Sequence, residues 1–390
     1  MIRPMPLSLL SLLSPPLALT LGACSSAPAG DPALSSGAPA PSVDAGGPEN
    51  ATPDDAGSVL EPAAEASAPR PSPGTPTSND GGSNAGQVDA GGSSSKVDYA
   101  PYFPTWIWGG SGYAVSGLAD LQAKSGLNEV TIAFVLSNGG CDTTQDIEQN
   151  ASDVKAFLAA GGHVKASFGG ADGDYVESKC SDAASFASAL EAFVDATGIT
   201  DLDFDIEQDA VLTDAVNEMR GQALKLAQDA RGIKVAFTLA ANPSPGALTS
   251  QGLSVVSHAL AAGVTISHVN LMTMDYGDSY GGQPLAPVAI GSLTAANGQL
   301  LTLIPGLTTA QAWRMLGVIP MIGKNDDSEV FSLDDAKTLA AFATANDLGL
   351  VSFWSIDRDQ VCPRGADYNS CSTVDTATFA FTDVLSKVAQ

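Results

Sequence analysis

The sequence predicts an α/β protein built on one closed (β/α)8 TIM barrel, preceded by a disordered low-complexity linker. Two observations lead to this fold class. All 24 aromatic residues (13 Phe, 7 Tyr and 4 Trp) lie at or after Tyr99, so a large apolar core can form only beyond that point in the 390-residue chain. There, eight short β-rich runs alternate with helical patterns at an average spacing of about 36 residues, as in a (β/α)8 barrel.

The eight predicted strands are short runs of mainly apolar residues. They span residues 99–103, 130–136, 163–168, 200–206, 233–240, 266–274, 316–322 and 350–354. Helical patterns fill the intervals, among them 181–197, 209–231 and 332–347, the last of which opens with Ser332 and Asp335 at capping-box spacing. A doubly wound open sheet is the alternative architecture, but no glycine-rich phosphate loop follows the first predicted strand.

The first 23 residues have the features of an export signal. A basic start at Arg3 is followed by an apolar run over 7–21, which is too short and too interrupted by proline for a membrane span. The run ends in Leu-Gly-Ala-Cys, which resembles the bacterial lipoprotein signal and implies cleavage before a lipid-modified Cys24. We therefore expect an exported protein, lipid-anchored to the bacterial cell envelope, with a plain secretory signal and a secreted product as the alternative.

Residues 24–98 form the predicted linker. They consist mainly of Ala, Pro, Ser, Gly and Asp, and the phrase Val-Asp-Ala-Gly-Gly occurs at 43–47 and again at 88–92. Such a composition buries too little apolar surface to offset the entropy of an ordered chain, so we expect a disordered tether. The predicted organisation is therefore a signal (1–23), a tether (24–98) and a catalytic domain (99–390).

The charge balance excludes one class of partner. The chain carries 17 Lys and Arg against 43 Asp and Glu, which gives a net charge of −26. Nucleic-acid recognition requires a basic surface, so we expect no nucleic-acid partner.

We expect the protein to be a monomer.

Four cysteines remain after Cys24, namely Cys141, Cys180, Cys362 and Cys371. An even number in an exported chain predicts two disulfides, for which three pairings are possible. We favour the pairing of near neighbours in sequence, Cys141 with Cys180 and Cys362 with Cys371. A zinc site is not expected, because the spacings are wide and no histidine lies within a few residues.

Three carboxylates alternate with apolar residues at the end of the fourth predicted strand: Asp203, Asp205 and Glu207. Residues at a period of two share one face of a strand, and in a barrel that face points to the interior. Clustered like charges in a packed interior keep at least one carboxyl protonated at neutral pH, which is the condition for a general acid. The alternatives are a solvated acidic face and a divalent-metal site, the latter disfavoured by the absence of histidine, so we expect no metal or cofactor.

This strand resembles the D-x-x-D-x-D-x-E signature of glycoside hydrolase family 18. The three carboxylates occupy its last three acidic positions, and Thr200 stands at the first. Three further segments resemble the family in the same chain order. They are Ser-Phe-Gly-Gly at 167–170 for S-x-G-G, Met-Thr-Met-Asp at 272–275 for M-x-Y-D, and Ser-Phe-Trp-Ser at 352–355 for the eighth strand.

The resemblance implies a chitinase that cleaves β-1,4-linked N-acetylglucosamine in chitin or its oligomers by a retaining, substrate-assisted mechanism. Glu207 would be the general acid and base, Asp205 would orient the substrate acetamide, and Asp203 would share a proton with Asp205. The residues implied in substrate binding are Trp354, Asp275, Met272, Ser167, Gly169 and Tyr276. Tyr276 is included because Met274 occupies the position of the family's tyrosine.

Two other functions stay open. The first is a non-catalytic chitin-binding lipoprotein, which is disfavoured because the acid at Glu207 is present. The second is an endo-β-N-acetylglucosaminidase acting on glycans, which has the same catalytic strand.

Overall fold

The computed structural model describes residues 96–363 and 369–390. The predicted signal, Cys24 and all of the tether before residue 96 lie outside the described residues.

Twelve strands occur in the described part of the chain. They are β1 (Asp98–Tyr99), β2 (Tyr102–Pro104), β3 (Glu129–Val135), β4 (His163–Gly169), β5 (Asp201–Ile206), β6 (Lys234–Asn242), β7 (Ala247–Leu248), β8 (Ile266–Met272), β9 (Leu316–Ile319), β10 (Gly323–Lys324), β11 (Val330–Phe331) and β12 (Leu350–Val351). All eight predicted strands are present, and β1 and β2 together form the first of them.

The parallel strands close into a barrel. The sheet order is β1-β12-β9-β8-β6-β5-β4-β3-β2, and the closure is made by the first strand, whose two segments pair with opposite neighbours. The Ala100 N–H donates to the Val351 carbonyl at 3.2 Å, and the Thr131 N–H donates to the Pro101 carbonyl at 3.0 Å. The predicted (β/α)8 TIM barrel is therefore confirmed.

Eleven α-helices accompany the strands in the described residues. They are α1 (Leu118–Ser125), α2 (Asp146–Gln149), α3 (Ala151–Ala159), α4 (Val176–Lys179), α5 (Ala183–Thr197), α6 (Asp214–Arg231), α7 (Ser250–Ala261), α8 (Leu285–Leu303), α9 (Thr309–Met315), α10 (Leu333–Asn346) and α11 (Ala380–Leu385). The predicted capping box of Ser332 and Asp335 begins α10. None of the described helices is long and apolar enough to cross a bilayer.

The core lies between the strands and the surrounding helices. On β5 the apolar residues Leu202, Phe204 and Ile206 are almost fully buried, and Phe204 stacks on Phe168 of β4 at a centroid distance of 5.3 Å. Because these side chains occupy the outer face of β5, the alternating carboxylates point to the barrel interior. The hydrophobic pattern of β5 thus fixes the direction of its acids.

Two disulfides join loops of the domain. Cys141 bonds to Cys180 across 39 residues, and Cys362 bonds to Cys371 across 9 residues. The predicted pairing is confirmed. The first of these links joins the loop after β3 to the end of α4, on the side of the barrel where the strands end.

Candidate active site

Asp203 lies at the centre of a buried hydrogen-bond network inside the barrel. Its carboxylate accepts hydrogen bonds from four side chains on four other strands. The donors are Ser167 Oγ at 2.7 Å, Thr238 Oγ1 at 2.9 Å, Tyr102 Oη at 3.0 Å and Asn270 Nδ2 at 3.2 Å. Burial raises the pKa of Asp203, whereas these hydrogen bonds, led by that of Ser167, oppose the rise.

Asp205 is the next inward residue of β5 and lines a cleft at the mouth of the barrel. It is 4% exposed, and its Oδ1 is buried without a hydrogen-bond partner. Burial, followed by the negative charges of Glu207 and Asp203, holds the pKa of Asp205 well above its usual range. Its free oxygen is therefore available to a polar group of a bound ligand.

Glu207 follows the end of β5 and lines the same cleft. Burial raises its pKa to about 7, and the carboxylates of Asp275, Asp172 and Asp326 contribute to the rise. Its backbone N–H donates to Tyr175 Oη at 2.9 Å. A carboxyl with this pKa can donate a proton near neutral pH and take one back, as an acid/base catalyst must.

Tyr175 holds the backbone around the three carboxylates. Its hydroxyl lies 2.8 Å from the Gly170 carbonyl oxygen and 3.0 Å from the Asp205 carbonyl oxygen, so its one proton is shared between these two acceptors. Gly169 has φ +107°, and a Cβ at this position would lie 2.2 Å from the Asp205 carbonyl oxygen. Glycine at 169 therefore permits the end of β4 to lie close to the catalytic end of β5.

Aromatic side chains form one wall of the cleft. Trp354 stacks on Phe134 at a centroid distance of 5.6 Å, and Trp106 meets Trp354 edge to face at 5.9 Å. Trp106 is 46% exposed, and its Nε1 donates to Asp357 Oδ2 at 2.8 Å. A flat aromatic surface of this kind suits the apolar face of a sugar ring.

Asp275 is fixed to the hairpin that β10 and β11 form. Its Oδ1 accepts a hydrogen bond from the Asp326 N–H at 2.9 Å, and its own N–H donates to Asn325 Oδ1 at 3.2 Å. Asp275 adopts a left-handed conformation with φ +51° and lines the cleft beside Glu207. The hairpin therefore positions one of the charges that raise the pKa of Glu207.

The structure does not bring Tyr276 to the lining of the cleft beside Met274. β8 ends at Met272 and the chain turns at Asp275, so the alternation of side chains does not continue to 276. The Tyr276 hydroxyl lies 3.3 Å from Ser292 Oγ on α8 instead. Met274 is the residue that lines the cleft, together with Met272.

The other predicted binding residues fall into two groups. Trp354, Asp275 and Met272 line the cleft. Ser167 and Gly169 lie behind it, where Ser167 supports Asp203 and Gly169 makes room for the backbone of Asp205. Within the described residues, no group of three or more His, Cys, Asp or Glu side chains is arranged to hold a metal ion.

Several side chains that shape the site were not predicted. Tyr102, Thr238 and Asn270 occupy inward positions on predicted strands, so the period of two could have identified them as candidates. Asp172 and Asp326 lie on loops, where no sequence period indicates which side chains reach the cleft.

The barrel, its three-carboxylate strand and the aromatic wall together define a (β/α)8-barrel glycoside hydrolase. None of the protein-family models compared with the chain matches it. The chain is 34% identical over 282 residues to Endochitinase 11 of Metarhizium anisopliae, across 67% of this chain and 52% of that protein. It is 32% identical over 312 residues to a probable bifunctional chitinase/lysozyme of Escherichia coli (strain K12), across 73% of this chain and 34% of that protein.

A solved structure of the catalytic domain of a hyperthermophilic chitinase from Pyrococcus furiosus matches with 30% identity and a TM-score of 0.66. The match covers 78% of this chain and 97% of that domain. The chain therefore belongs to glycoside hydrolase family 18, the family of these chitinases. It spans about half of the first curated relative and about a third of the second.

Proposed function

We propose that this protein is a chitinase that hydrolyses β-1,4 linkages between N-acetylglucosamine residues with retention of configuration. The observation that carries the proposal is the pair formed by Glu207, with a pKa of about 7, and the buried Asp205, with a free oxygen in the same cleft. Glu207 can donate and accept a proton. Asp205 can accept a hydrogen bond from the N–H of an acetamide group.

The reaction follows from these two groups and the substrate. Protonated Glu207 donates its proton to the glycosidic oxygen while the acetamide carbonyl oxygen bonds to C1 and the glycosidic bond breaks. Asp205 accepts a hydrogen bond from the acetamide N–H and stabilises the positive oxazolinium-like intermediate. Ionised Glu207 then takes a proton from the water that attacks C1, which restores the acid and gives net retention.

Asp203 affects this reaction through the protonation state of Asp205. Two carboxyls on neighbouring inward positions of β5 are poorly solvated, so Asp203 and Asp205 share one proton. The four donors around Asp203 favour its ionised form, which leaves the proton on Asp205 in the free protein. When substrate binds, this proton passes to Asp203, so that Asp205 is ionised when it stabilises the positive intermediate. Trp354 carries the sugar at the cleavage site on its flat face.

The test is replacement of Glu207 by Gln, which keeps the size of the side chain and removes its proton transfer. We expect release of sugar from N-acetylglucosamine oligomers to fall by at least about 100-fold, because general acid–base catalysis contributes on this order. Binding, measured by tryptophan fluorescence, should persist.

The matched control is Glu218→Gln on the exposed surface of α6, which should leave turnover unchanged. Unchanged turnover in Glu207→Gln would contradict the assignment, and a wild-type protein that binds oligomers without cleaving them would indicate the non-catalytic function. Product analysis on a glycoprotein beside chitin oligomers separates the chitinase from an endo-β-N-acetylglucosaminidase.

The proposal extends to location. Residues 1–23 direct export and Cys24 carries the lipid, so the domain is anchored to the cell envelope as a monomer. The apolar run before Cys24 and the two disulfides of the domain support export, because disulfides persist in oxidising compartments. In a bacterial host, Cys24→Ser should abolish labelling by a fatty acid and release the protein from membranes. Persistent labelling of this variant would exclude Cys24 as the lipid site.

A further inference from the structure

Three methionines are among the apolar residues that line the cleft. Met272 and Met274 lie at and just after the end of β8, and Met321 follows β9. All three line the cleft that contains Asp205 and Glu207. Met274 also packs against the small apolar cluster that includes Ile319. Three of the chain's seven methionines therefore line the cleft in which we propose that substrate binds.

The hydroxyl groups on this lining are already engaged. Tyr102 Oη donates to Asp203 at 3.0 Å, and Thr238 Oγ1 donates to the same carboxylate at 2.9 Å. The Tyr276 hydroxyl lies outside the lining, against Ser292. Within the described residues, the lining of the cleft thus includes thioether and aliphatic surface at Met272, Met274, Met321 and Ile319, and its tyrosine and threonine hydroxyls, those of Tyr102 and Thr238, are committed to Asp203.

From this arrangement we infer that Met274 determines the N-acyl specificity of the site and that the cleft accepts 2-acylamido groups larger than acetyl. The inference rests on the proposed function, since it concerns the group that Asp205 would orient. Methionine is unbranched and has three rotatable side-chain bonds, so it can move aside for an added methylene and still pack against it.

A larger acyl group does not change which bonds form and break in the reaction. The acyl carbonyl oxygen bonds to C1, the glycosidic bond breaks, and Glu207 supplies the proton of the leaving oxygen. Water then adds at C1 and gives one proton back to Glu207 while the bond from C1 to the acyl oxygen breaks. The added methylene takes no part in any of these bonds, so its effect on the rate depends on how it fits the lining of the cleft, which includes Met274.

The ratio of kcat/KM between N-propionyl and N-acetyl substrates distinguishes an adaptable pocket from a rigid one. One methylene that becomes buried on binding changes kcat/KM by about four-fold. A pocket that rejects a methylene by its shape discriminates by about 10- to 200-fold. We therefore expect N-propionyl and N-acetyl substrates to differ by no more than about four-fold in the wild-type protein.

The experiment uses 4-methylumbelliferyl glycosides of chitobiose whose amino groups carry acetyl, propionyl or butyryl. The ratio of kcat/KM for propionyl to that for acetyl is measured in the wild type, Met274→Tyr, Met274→Leu and, as a control outside the cleft, Met219→Leu on α6. Thermal unfolding of each variant monitors folding. The rigid ring in Met274→Tyr should lower the ratio by at least about ten-fold, whereas both leucine variants should keep it.

Two results would overturn the inference. One is a wild-type protein that discriminates against propionyl by more than about ten-fold, and the other is an unchanged ratio in Met274→Tyr. Cleavage of the acetyl substrate alone would overturn this inference and leave the proposed function standing. Failure to cleave any member of the series would overturn both.

Discussion

The pH dependence of activity should be set by Glu207 and altered by its acidic neighbours. As a general acid, Glu207 must hold its proton, so kcat/KM should fall as pH rises through its pKa of about 7. Asp172 is exposed, lines the cleft and raises this pKa. Asp172→Asn keeps the side-chain shape and removes one negative charge, so it should lower the pKa and move the fall in activity to lower pH.

The size of this effect is bounded by the structure. The pKa of Glu207 rises from an ordinary value of 4.5 to about 7, and Asp172 is the third largest of four causes. Its share is therefore at most about one third of the rise, which is less than one pH unit. We expect Asp172→Asn to move the fall in activity to lower pH by less than about one unit.

The assay is the pH profile of kcat/KM with an uncharged fluorogenic chitobioside at low ionic strength. Asp334→Asn provides the matched control, because it removes an exposed carboxylate on α10, away from the cleft. Added salt should reduce the difference between wild type and Asp172→Asn, since an exposed charge is screened. A profile that stays in place, or that moves to higher pH, would refute the electrostatic reasoning.

The remaining predictions concern stability. Replacing Cys141 and Cys180 by Ser should lower the free energy of unfolding by about 4 kcal/mol, against about 3 kcal/mol for Cys362 and Cys371, because the first pair closes 39 residues and the second closes 9. Urea denaturation measures both values, and a larger loss for the second pair would contradict the loop-entropy argument. Glu329 is fully buried, and burial raises its pKa to about 7, so its folded form binds the proton more tightly than the unfolded chain and stability falls as pH rises from about 5 to 7. Glu329→Gln should flatten this dependence in thermal melts, and an unchanged slope would exclude Glu329 as its source.

Most of the barrel could be predicted because each strand carries its own signal. The run at 200–206 is apolar on alternate residues, and β5 occupies 201–206 with those residues buried. The strand pairs β6–β7 and β10–β11 involve strands of two residues, which are too short to show a period. Strand signals therefore indicated the barrel, whereas these short additions depend on tertiary contacts.

Periodicity alone predicted the site only where acids alternate along one strand, whereas Trp354, Asp275 and Met272 were implied by the family resemblance. Asp203 and Asp205 share a face of β5, so their meeting follows from the period of two. The donors to Asp203 come from four other strands, and their registers decide the contacts. Tyr276 departs from the expected face for another reason, because the alternation was extended beyond the end of β8.

The central claim is that the acetamide of the substrate attacks C1 and that configuration is retained. Proton NMR of the first minutes of chitotetraose hydrolysis tests it most directly, because the anomer formed by the enzyme is seen before mutarotation mixes the products. The account predicts that the β-anomer appears first. Initial formation of the α-anomer would contradict it.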